Sequence, residues 1–325
     1  MAAGALLASA AARGQPKSGP ARIGVLARVA PLGPIVWQPF TTALRAHGWS
    51  EGSGFVVEQR SIGRDPEQAL RYARELAYSR VDVILAFSTM AAIAAKQATS
   101  SIPIIAWCGY PVESRLARSL ASPGGNVTGI ANYAGGQMWG KFPQLLREVQ
   151  PWLQRVGVLW DYVPPAFPDG EVGLTELRGA ASRLGVQIRP WLVASEDDLG
   201  IALSSIEREK VEALIICSAG TLIQQREASA RVAELLRRRS LPAITDLGTT
   251  TFRNTGCVLA YSPSIRSVTD RLANFIDRIL RGDKPADLPF ESPTRFELLV
   301  NAGAARTLGI KVPQLLLARA DQVID

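Results

Sequence analysis

Apolar, strand-like runs alternate with amphipathic helical segments along this chain, and the alternation begins twice. The first series opens with RIGVLA at residues 22–27, and the second opens with RVGVLW at residues 155–160, about 130 residues later. Strands that alternate with helices form parallel sheets with right-handed crossovers. The pattern therefore predicts an α/β fold with two doubly wound, Rossmann-like lobes, each built on a parallel sheet.

The chain is predicted to cross from the first lobe to the second within residues 102–133. A buried strand is expected at 102–106 and a short helix at 113–121. The turn residues Ser-Pro-Gly-Gly-Asn at 122–126 end that helix, and a strand resumes at 127–130.

The domain organisation follows from this passage and from short elements near the end of the chain. We predict a first lobe from 21–128 plus 258–285, and a second lobe from 129–257 plus 286–325. Two or three chain crossings between the lobes would form a hinge, with the ligand cleft between the lobes.

Composition excludes several other classes of protein. Hydrophobic residues make up 47% of the chain and charged residues 20%, which argues against disorder. The net charge is +7, but the cations are scattered, and the densest run, Arg237 to Arg239, ends a predicted helix where cations complement the carbonyl groups. No nucleic-acid-binding motif is present. We therefore expect no nucleic-acid partner.

The residues needed for metal or nucleophilic chemistry are sparse. The single histidine, His47, precedes a helix-ending glycine and is interpreted as a helix cap. Cys108, Cys217 and Cys257 have no metal-ligand spacing and are expected to be buried hydrophobic residues. We predict no catalytic residue, no metal site, no cofactor and no enzymatic activity.

Residues 1–20 resemble the later part of a secretory signal peptide. A run of small residues and leucine contains Ala8-Ser9-Ala10, which fits a cleavage pattern, and a polar, breaker-rich segment follows. The basic region that normally begins such a peptide is missing, so the true start is predicted to lie upstream. A disordered N-terminal tail is the alternative.

Several longer stretches resemble one family. They are AAKQATSSIPI at 94–104, LASPGGNVTG at 120–129, KPADLP at 284–289, PTRFELLVN at 293–301 and LLARAD at 316–321. Over about residues 22–325 the chain resembles the ABC-transporter substrate-binding proteins related to tryptophan- and tyrosine-binding lipoproteins. The resemblance implies a type I periplasmic-binding fold, a periplasmic location, and a small solute delivered to a permease with its cytoplasmic ATPase.

The chain departs from that family at two strand ends. Tyr110 precedes Pro111-Val112 where the family usually has aspartate, and the segment Val29-Ala30-Pro31 is apolar. A ligand whose ammonium group needs the missing carboxylate is therefore in doubt.

The predicted ligand-binding residues follow the strands of both lobes, at the sheet edge where open α/β folds hold ligands. Those assigned to the first lobe are Ala30, Ser88, Thr89, Gly109, Tyr110, Tyr261 and Ser262. Those assigned to the second are Trp160, Asp161, Tyr162, Ser218, Gly220, Asp246 and Leu247.

The chemistry of this set predicts a small polar or zwitterionic solute with an apolar or aromatic part. Ser88 and Thr89 at a helix start suit an anion, while Asp161 and Asp246 could accept from an ammonium or hydroxyl group. The aromatic side chains could stack on a flat ligand. The alternatives are that Ser88 only caps a helix, Asp161 only caps a turn, and Trp160 belongs to the core.

Two other functions remain open from the sequence. One is a cytoplasmic or sensor-linked ligand-binding regulator of the same fold. The other is a hydrolase that uses Asp161 and Asp246 as paired carboxylates, although no catalytic motif supports it.

Overall fold

Two sheets organise the described part of the chain, and the predicted α/β fold is confirmed. The computed structural model describes residues 19–133, 137–162, 169–218, 221–246 and 249–325. The predicted leader lies almost entirely outside these residues.

The first lobe contains a five-stranded parallel sheet with the order β2-β1-β3-β4-β5. Its elements are β1 Ala21–Ala27, α1 Pro34–Ala46, β2 Phe55–Ser61, α2 Pro66–Tyr78, β3 Val83–Phe87, α3 Thr89–Ala98, β4 Ile104–Cys108 and β5 Val127–Ala131.

The second lobe contains a seven-stranded sheet with the order β12-β11-β10-β9-β8-β6-β7, in which only the β10–β11 pair is antiparallel. Its first elements are α4 Gln137–Val149, β6 Arg155–Asp161, α5 Asp169–Arg183, β7 Gln187–Val193, α6 Glu196–Arg208, β8 Ala213–Ser218, α7 Arg226–Arg239, β9 Ala243–Thr245, α8 Thr249–Thr255 and β10 Leu259–Pro263. After α9 Ile265–Leu280 come β11 Phe296–Asn301, α10 Ala302–Leu308, α11 Gln314–Arg319 and β12 Gln322–Ile324.

Each sheet is buried between two layers of helices, as its apolar strands require. In the first lobe α2 and α3 cover one face, and α1 and α9 cover the other. In the second lobe α4, α5, α10 and α11 cover one face, and α6, α7 and α8 cover the other. Local signals begin several helices, including the Asp65 cap before Pro66 and the capping box of Ser195 and Asp198.

The chain crosses between the lobes three times, after β5, between β10 and α9, and before β11. The crossings are hydrogen-bonded to one another. Ser264 N donates to the Arg295 carbonyl at 2.9 Å, and Ala131 N donates to the Glu291 carbonyl at 2.8 Å. The three segments therefore lie side by side and join the lobes through one narrow region.

The structure corrects the placement of residues 258–285 in the first lobe. Strand β10 pairs with β9 and β11 in the second sheet, and only the segment beginning with α9 returns to the first lobe. Similarly, β5 pairs with β4 in the first sheet, so that lobe extends to residue 131. Sequence periodicity identifies such strands but does not say with which sheet they pair.

The helix expected at 113–121 is wrong, because this segment forms turns, bends and irregular structure. Arg115 takes a left-handed conformation with φ of 56°, which is incompatible with a continuing α-helix. Lys96 Nζ donates to the carbonyl groups of Arg115 and Leu116 and so joins this segment to α3.

The expected cap and cysteine environments are confirmed. His47 occupies the C-cap of α1, and all three cysteines are buried and free. None of the helices in the described ranges is long and apolar enough to span a membrane.

The close approach of β4 and β5 generates a stability prediction. Gly129 has a φ of 141°, and a Cβ atom there would lie 2.0 Å from the carbonyl oxygen of Ala106. We expect Gly129→Ala to lower the free energy of unfolding by at least about 2 kcal/mol, because backbone strain and overpacking add. Urea denaturation measures this loss.

Gly125→Ala is the matched control, because a Cβ atom at Gly125 would meet nothing within 4 Å. We expect its unfolding free energy to change by less than about 0.5 kcal/mol. Equal stability of the two variants would contradict the proposed packing of β4 against β5.

Candidate functional site

A cavity of about 270 Å³ lies where the carboxyl ends of the two sheets face each other. Phe87, Ser88 and Thr89 line it from the end of β3, and Gly109 lines it from the end of β4. Asp169 at the start of α5 contributes from the second lobe. Both lobes therefore build this cavity, and three of the predicted residues, Ser88, Thr89 and Gly109, are brought together in it.

The ordered local structure explains how the polar groups reach the cavity. The Ser88 hydroxyl accepts a hydrogen bond from Ala91 N at 3.1 Å and so caps α3. This leaves Thr89 in the first turn of the helix. Gly109 N donates to the Thr89 hydroxyl at 3.0 Å and joins the ends of β3 and β4.

An arginine that the sequence analysis missed supplies positive charge to the cavity. Arg28 follows β1 directly and lines the cavity. Its Nη1 atom is buried and has no hydrogen-bond partner among the described residues. Burial lowers the pKa of Arg28 to about 10, while nearby Asp161 raises it. The guanidinium therefore keeps its charge at neutral pH.

Asp169 connects the second lobe to the first. The Thr89 hydroxyl donates to Asp169 Oδ2 at 2.5 Å, and Tyr110 N donates to Oδ1 at 3.3 Å. A Cβ atom on Gly109 would lie 2.6 Å from this carboxyl group, so glycine is needed there for the approach. The side chain is only 9% exposed.

Tyr110 forms a second contact between the lobes. Its hydroxyl donates to Glu176 Oε2 at 2.5 Å and accepts from Trp139 Nε1 at 2.8 Å. Both partners lie on helices of the second lobe, α5 and α4. The ring is 3% exposed and packs beside Tyr133, with 5.7 Å between the ring centroids.

An ion pair between Arg64 and Asp161 makes a third contact between the lobes. Arg64 lies between β2 and α2, and its Nη1 atom is 2.6 Å from Asp161 Oδ1 at the end of β6. Arg64 Nη2 also donates to the carbonyl groups of Tyr162 and Ala194, each at 2.9 Å. Asp161 is fully buried and accepts from Ile223 N as well.

The structure places three further predicted residues near the lobe contacts or in the core. Trp160 is 1% exposed and stacks near Trp139 inside the second lobe, which agrees with the core alternative. Tyr162 is half-buried against the same core. Asp246 accepts from the Tyr133 hydroxyl at 3.4 Å.

The remaining predicted residues are spread over the molecule. Ala30 lies in the loop after β1, and Ser218 ends β8. Tyr261 and Ser262 lie on β10 in the second sheet, where Tyr261 stacks on Phe296 and lines a separate surface pocket. Gly220 and Leu247 lie outside the described residues.

Sequence reasoning missed the charged residues that shape the cavity and the lobe contacts. Arg28 gave one usable signal, because a cation directly follows an apolar strand at the ligand-binding edge. The sequence predicts only that Asp169 begins a helix, and it assigns no role to Arg64. Their partners lie on the other lobe, so local patterns do not show these pairings.

The arrangement suits binding and gives no support to metal chemistry. Phe87 and Trp107 meet edge to face, with 5.8 Å between their centroids, and form an apolar wall of the cavity. Charged side chains of both signs, Arg28 and Asp169, and hydrogen-bond donors line the rest of the cavity. No cluster of three or more potential metal ligands occurs in the ranges that could be described.

Comparison with known proteins identifies the family. The model of a family described as ABC transporter substrate binding protein matches residues 35–324. This chain belongs to that family. A curated relative, the tyrosine-binding protein of Clostridioides difficile (strain R20291), is 22% identical over 274 residues, which cover 84% of this chain and 76% of the relative.

Solved structures share the fold. A conserved domain protein from Vibrio cholerae is 23% identical, with a TM-score of 0.82 and coverage of 93% of this chain and 99% of that one. An ABC domain in complex with L-Trp from Streptococcus pneumonia is 22% identical, with a TM-score of 0.81 and coverage of 94% and 100%. These neighbours confirm the type I periplasmic-binding fold.

A ligand-free, open substrate binding protein from Clostridium difficile is 21% identical, with a TM-score of 0.69 and coverage of 94% and 99%.

The buried Asp169 generates a pH prediction. Burial raises the pKa of this carboxyl group above 3.8, although hydrogen bonds from Thr89 and Tyr110 and the charge of Arg28 lower it, and Glu113 adds to the increase. The folded protein then holds a proton that the unfolded chain has lost. This contribution to stability falls as pH rises from about 4 through the folded-state pKa.

Asp169→Asn removes the ionisation, so we expect the stability of the variant relative to the parent to increase between pH 4 and pH 8. Thermal unfolding across this range measures the difference. Asp198→Asn is the opposite control, because hydrogen bonds from Ala194 and Ser195 lower the pKa of Asp198. The stability of Asp198→Asn relative to the parent should therefore be lowest at neutral pH. Parallel profiles for Asp169→Asn and the parent would contradict the prediction.

Proposed function

We propose that this protein is the extracytoplasmic solute-binding component of an ABC importer. It captures a small polar organic solute with an apolar or aromatic part, and holds it between the lobes. The observation that carries the proposal is the cavity built by both lobes, in which Arg28 has a buried Nη1 atom without a described partner. A polar ligand would provide that partner.

The size and walls of the cavity support a small solute. Its volume of about 270 Å³ lies just below the roughly 300–1,000 Å³ of sites for drug-sized ligands. Phe87, Trp107 and Tyr133 provide flat apolar surfaces. Tyrosine, for which the Clostridioides difficile relative is named, and L-Trp, bound in the Streptococcus pneumonia structure, have the same combination of an aromatic part and polar groups.

Closure of the lobes around the solute is supported by two observations. Arg64, Thr89 and Tyr110 make polar contacts from the first lobe to the second. In addition, the TM-score is 0.81 against the L-Trp complex but 0.69 against the ligand-free, open structure. These observations support our proposal that the described arrangement is a closed form and that ligand binding shifts the population toward it.

The partner and the location follow from the family. A substrate-binding protein of this family delivers its solute to a permease, so we propose a periplasmic protein that docks on a permease powered by a cytoplasmic ATPase. The signal-like residues 1–20 are consistent with export. We also propose that the ligand is released unchanged, without turnover.

A ligand panel tests the binding function. We expect one chemical class among amino acids, aromatic acids, nucleosides, sugars and polyamines to raise the unfolding temperature by a few degrees. A ligand at about 100 times its dissociation constant adds about 2.7 kcal/mol to the stability. Small-angle scattering should show compaction with the same compound, and mass spectrometry should recover it unchanged.

Consumption of the compound would contradict the proposal and favour an enzyme. Thermal stabilisation without compaction would contradict closure alone. Fractionation that leaves the native protein in the cytoplasm would contradict the proposed location and favour a regulator of the same fold.

Removal of the Arg64–Asp161 ion pair tests closure independently. Arg64→Met removes the cation that is hydrogen-bonded to the buried carboxylate of Asp161, a loss that costs up to about 3–5 kcal/mol, whereas separation of the lobes would hydrate that carboxylate. We therefore expect scattering to show a larger radius of gyration. Because the closed form is less populated, the affinity for the ligand from the panel should fall at least tenfold, about 1.4 kcal/mol.

Arg231→Met is the control, because Arg231 pairs with Glu196 on the surface of the second lobe. Exposed pairs contribute about 0–1 kcal/mol, so this variant should keep the parent's size and affinity. Unchanged size and affinity in Arg64→Met would count against a closed state stabilised by this pair.

A further inference from the structure

Arg28 provides a positively charged group to which one end of the ligand can bind. Its guanidinium group lines the cavity, and its buried Nη1 atom has no hydrogen-bond partner in the described ranges. A planar guanidinium binds a carboxylate through two parallel hydrogen bonds. An anionic group of the ligand would therefore give the unused donor a partner, in addition to the nearby carboxylates of Asp161 and Asp169 that interact with the charge of Arg28.

The acid in the cavity wall is already occupied by protein donors. Asp169 accepts from Thr89 through Oδ2 and from Tyr110 N through Oδ1, and the backbone of Gly109 packs against the carboxyl group. These hydrogen bonds join the second lobe to the first, and the Asp169 side chain is only 9% exposed. Each of its oxygens already accepts one protein hydrogen bond, and its low exposure leaves little room for a ligand ammonium group.

The neighbouring acids are likewise committed to the protein. Asp161 Oδ1 binds Arg64, and its Oδ2 accepts from Ile223 N. Glu176 accepts from the hydroxyl of Tyr110, and Asp246 accepts from that of Tyr133. The described residues thus present a cation to the ligand at one end, but no carboxylate that lacks a protein donor.

The rest of the cavity suits an aromatic ring. Phe87 and Trp107 form a flat wall, and Trp107 is fixed by its hydrogen bond to Asn132 Oδ1 at 2.8 Å. Tyr133 lies among the lining residues as well. Offset or edge-on contacts with these rings favour an aromatic group.

We propose that the cavity binds a small aromatic carboxylate without an α-ammonium group, with its carboxylate on Arg28. The proposal rests on the proposed function, since it names the class of solute that the same site takes. It separates this chain from a binder of aromatic amino acids.

Matched ligand pairs test the proposal by isothermal titration calorimetry on the full chain. 3-Phenylpropionate differs from L-phenylalanine, and indole-3-propionate from L-tryptophan, only by the α-ammonium group. We expect each acid to bind at least tenfold more tightly than its amino acid. 3-Phenylpropionamide, which lacks the negative charge, should bind at least tenfold more weakly than 3-phenylpropionate.

A variant locates the carboxylate. Arg28→Gln should weaken binding of 3-phenylpropionate at least tenfold and reduce its advantage over the amide. Arg22→Gln is the control, because Arg22 lies on β1, the strand that Arg28 follows, is exposed, and pairs with Glu58. It should keep the parent's affinities. Thermal unfolding without ligand establishes that both variants are folded.

The outcomes separate the two proposals. Amino acids that bind as tightly as their des-amino partners would overturn this inference, and so would unchanged affinity in Arg28→Gln. If the acids fail to bind while another class in the panel stabilises and compacts the protein, this inference fails and the proposed function stands. If no compound in either experiment binds, both fail.

Discussion

A charge that leaves water needs a partner of opposite sign, and Asp161 obtains its partner from the other lobe. The carboxylate is fully buried at the end of β6, and the cation beside it, Arg64, belongs to the loop before α2. A buried ion without its partner costs several kcal/mol. The described arrangement of the lobes supplies the carboxylate with this partner, and the cavity lies where the same two lobes meet.

The fold was predictable because its signals are local. The apolar runs at 22–27 and 155–160, for example, predict β1 and β6 to within one residue of their observed bounds. The errors concern the environment of a segment. Residues 113–121 carry a helical pattern, but the left-handed Arg115 interrupts it. Strand β10 pairs with the second sheet, although its position in the sequence suggested the first.

The site was less predictable, because its chemistry depends on pairings across the two lobes. Ser88, Thr89 and Gly109 follow strands directly, so the rule for parallel sheets locates them. Tyr110 and Asp161 were expected to face a ligand, but the structure uses both to join the lobes. Arg28 and Asp169 were missed since neither belongs to a motif, and the nearest groups to Asp169 lie far away in the sequence.

The position of the three cysteines has a practical consequence. Cys108 is 3% exposed and lines the cavity, whereas Cys217 and Cys257 are fully buried in the cores of the second lobe. Burial raises the pKa of the Cys108 and Cys217 thiols, and it raises that of Cys257 to about 12, so few thiolates are available to react at neutral pH. If the lobes separate as proposed, an alkylating reagent reaches Cys108 first. The rate of Cys108 alkylation, compared with the rates for Cys217 and Cys257, would thus distinguish domain opening from global unfolding without any added label.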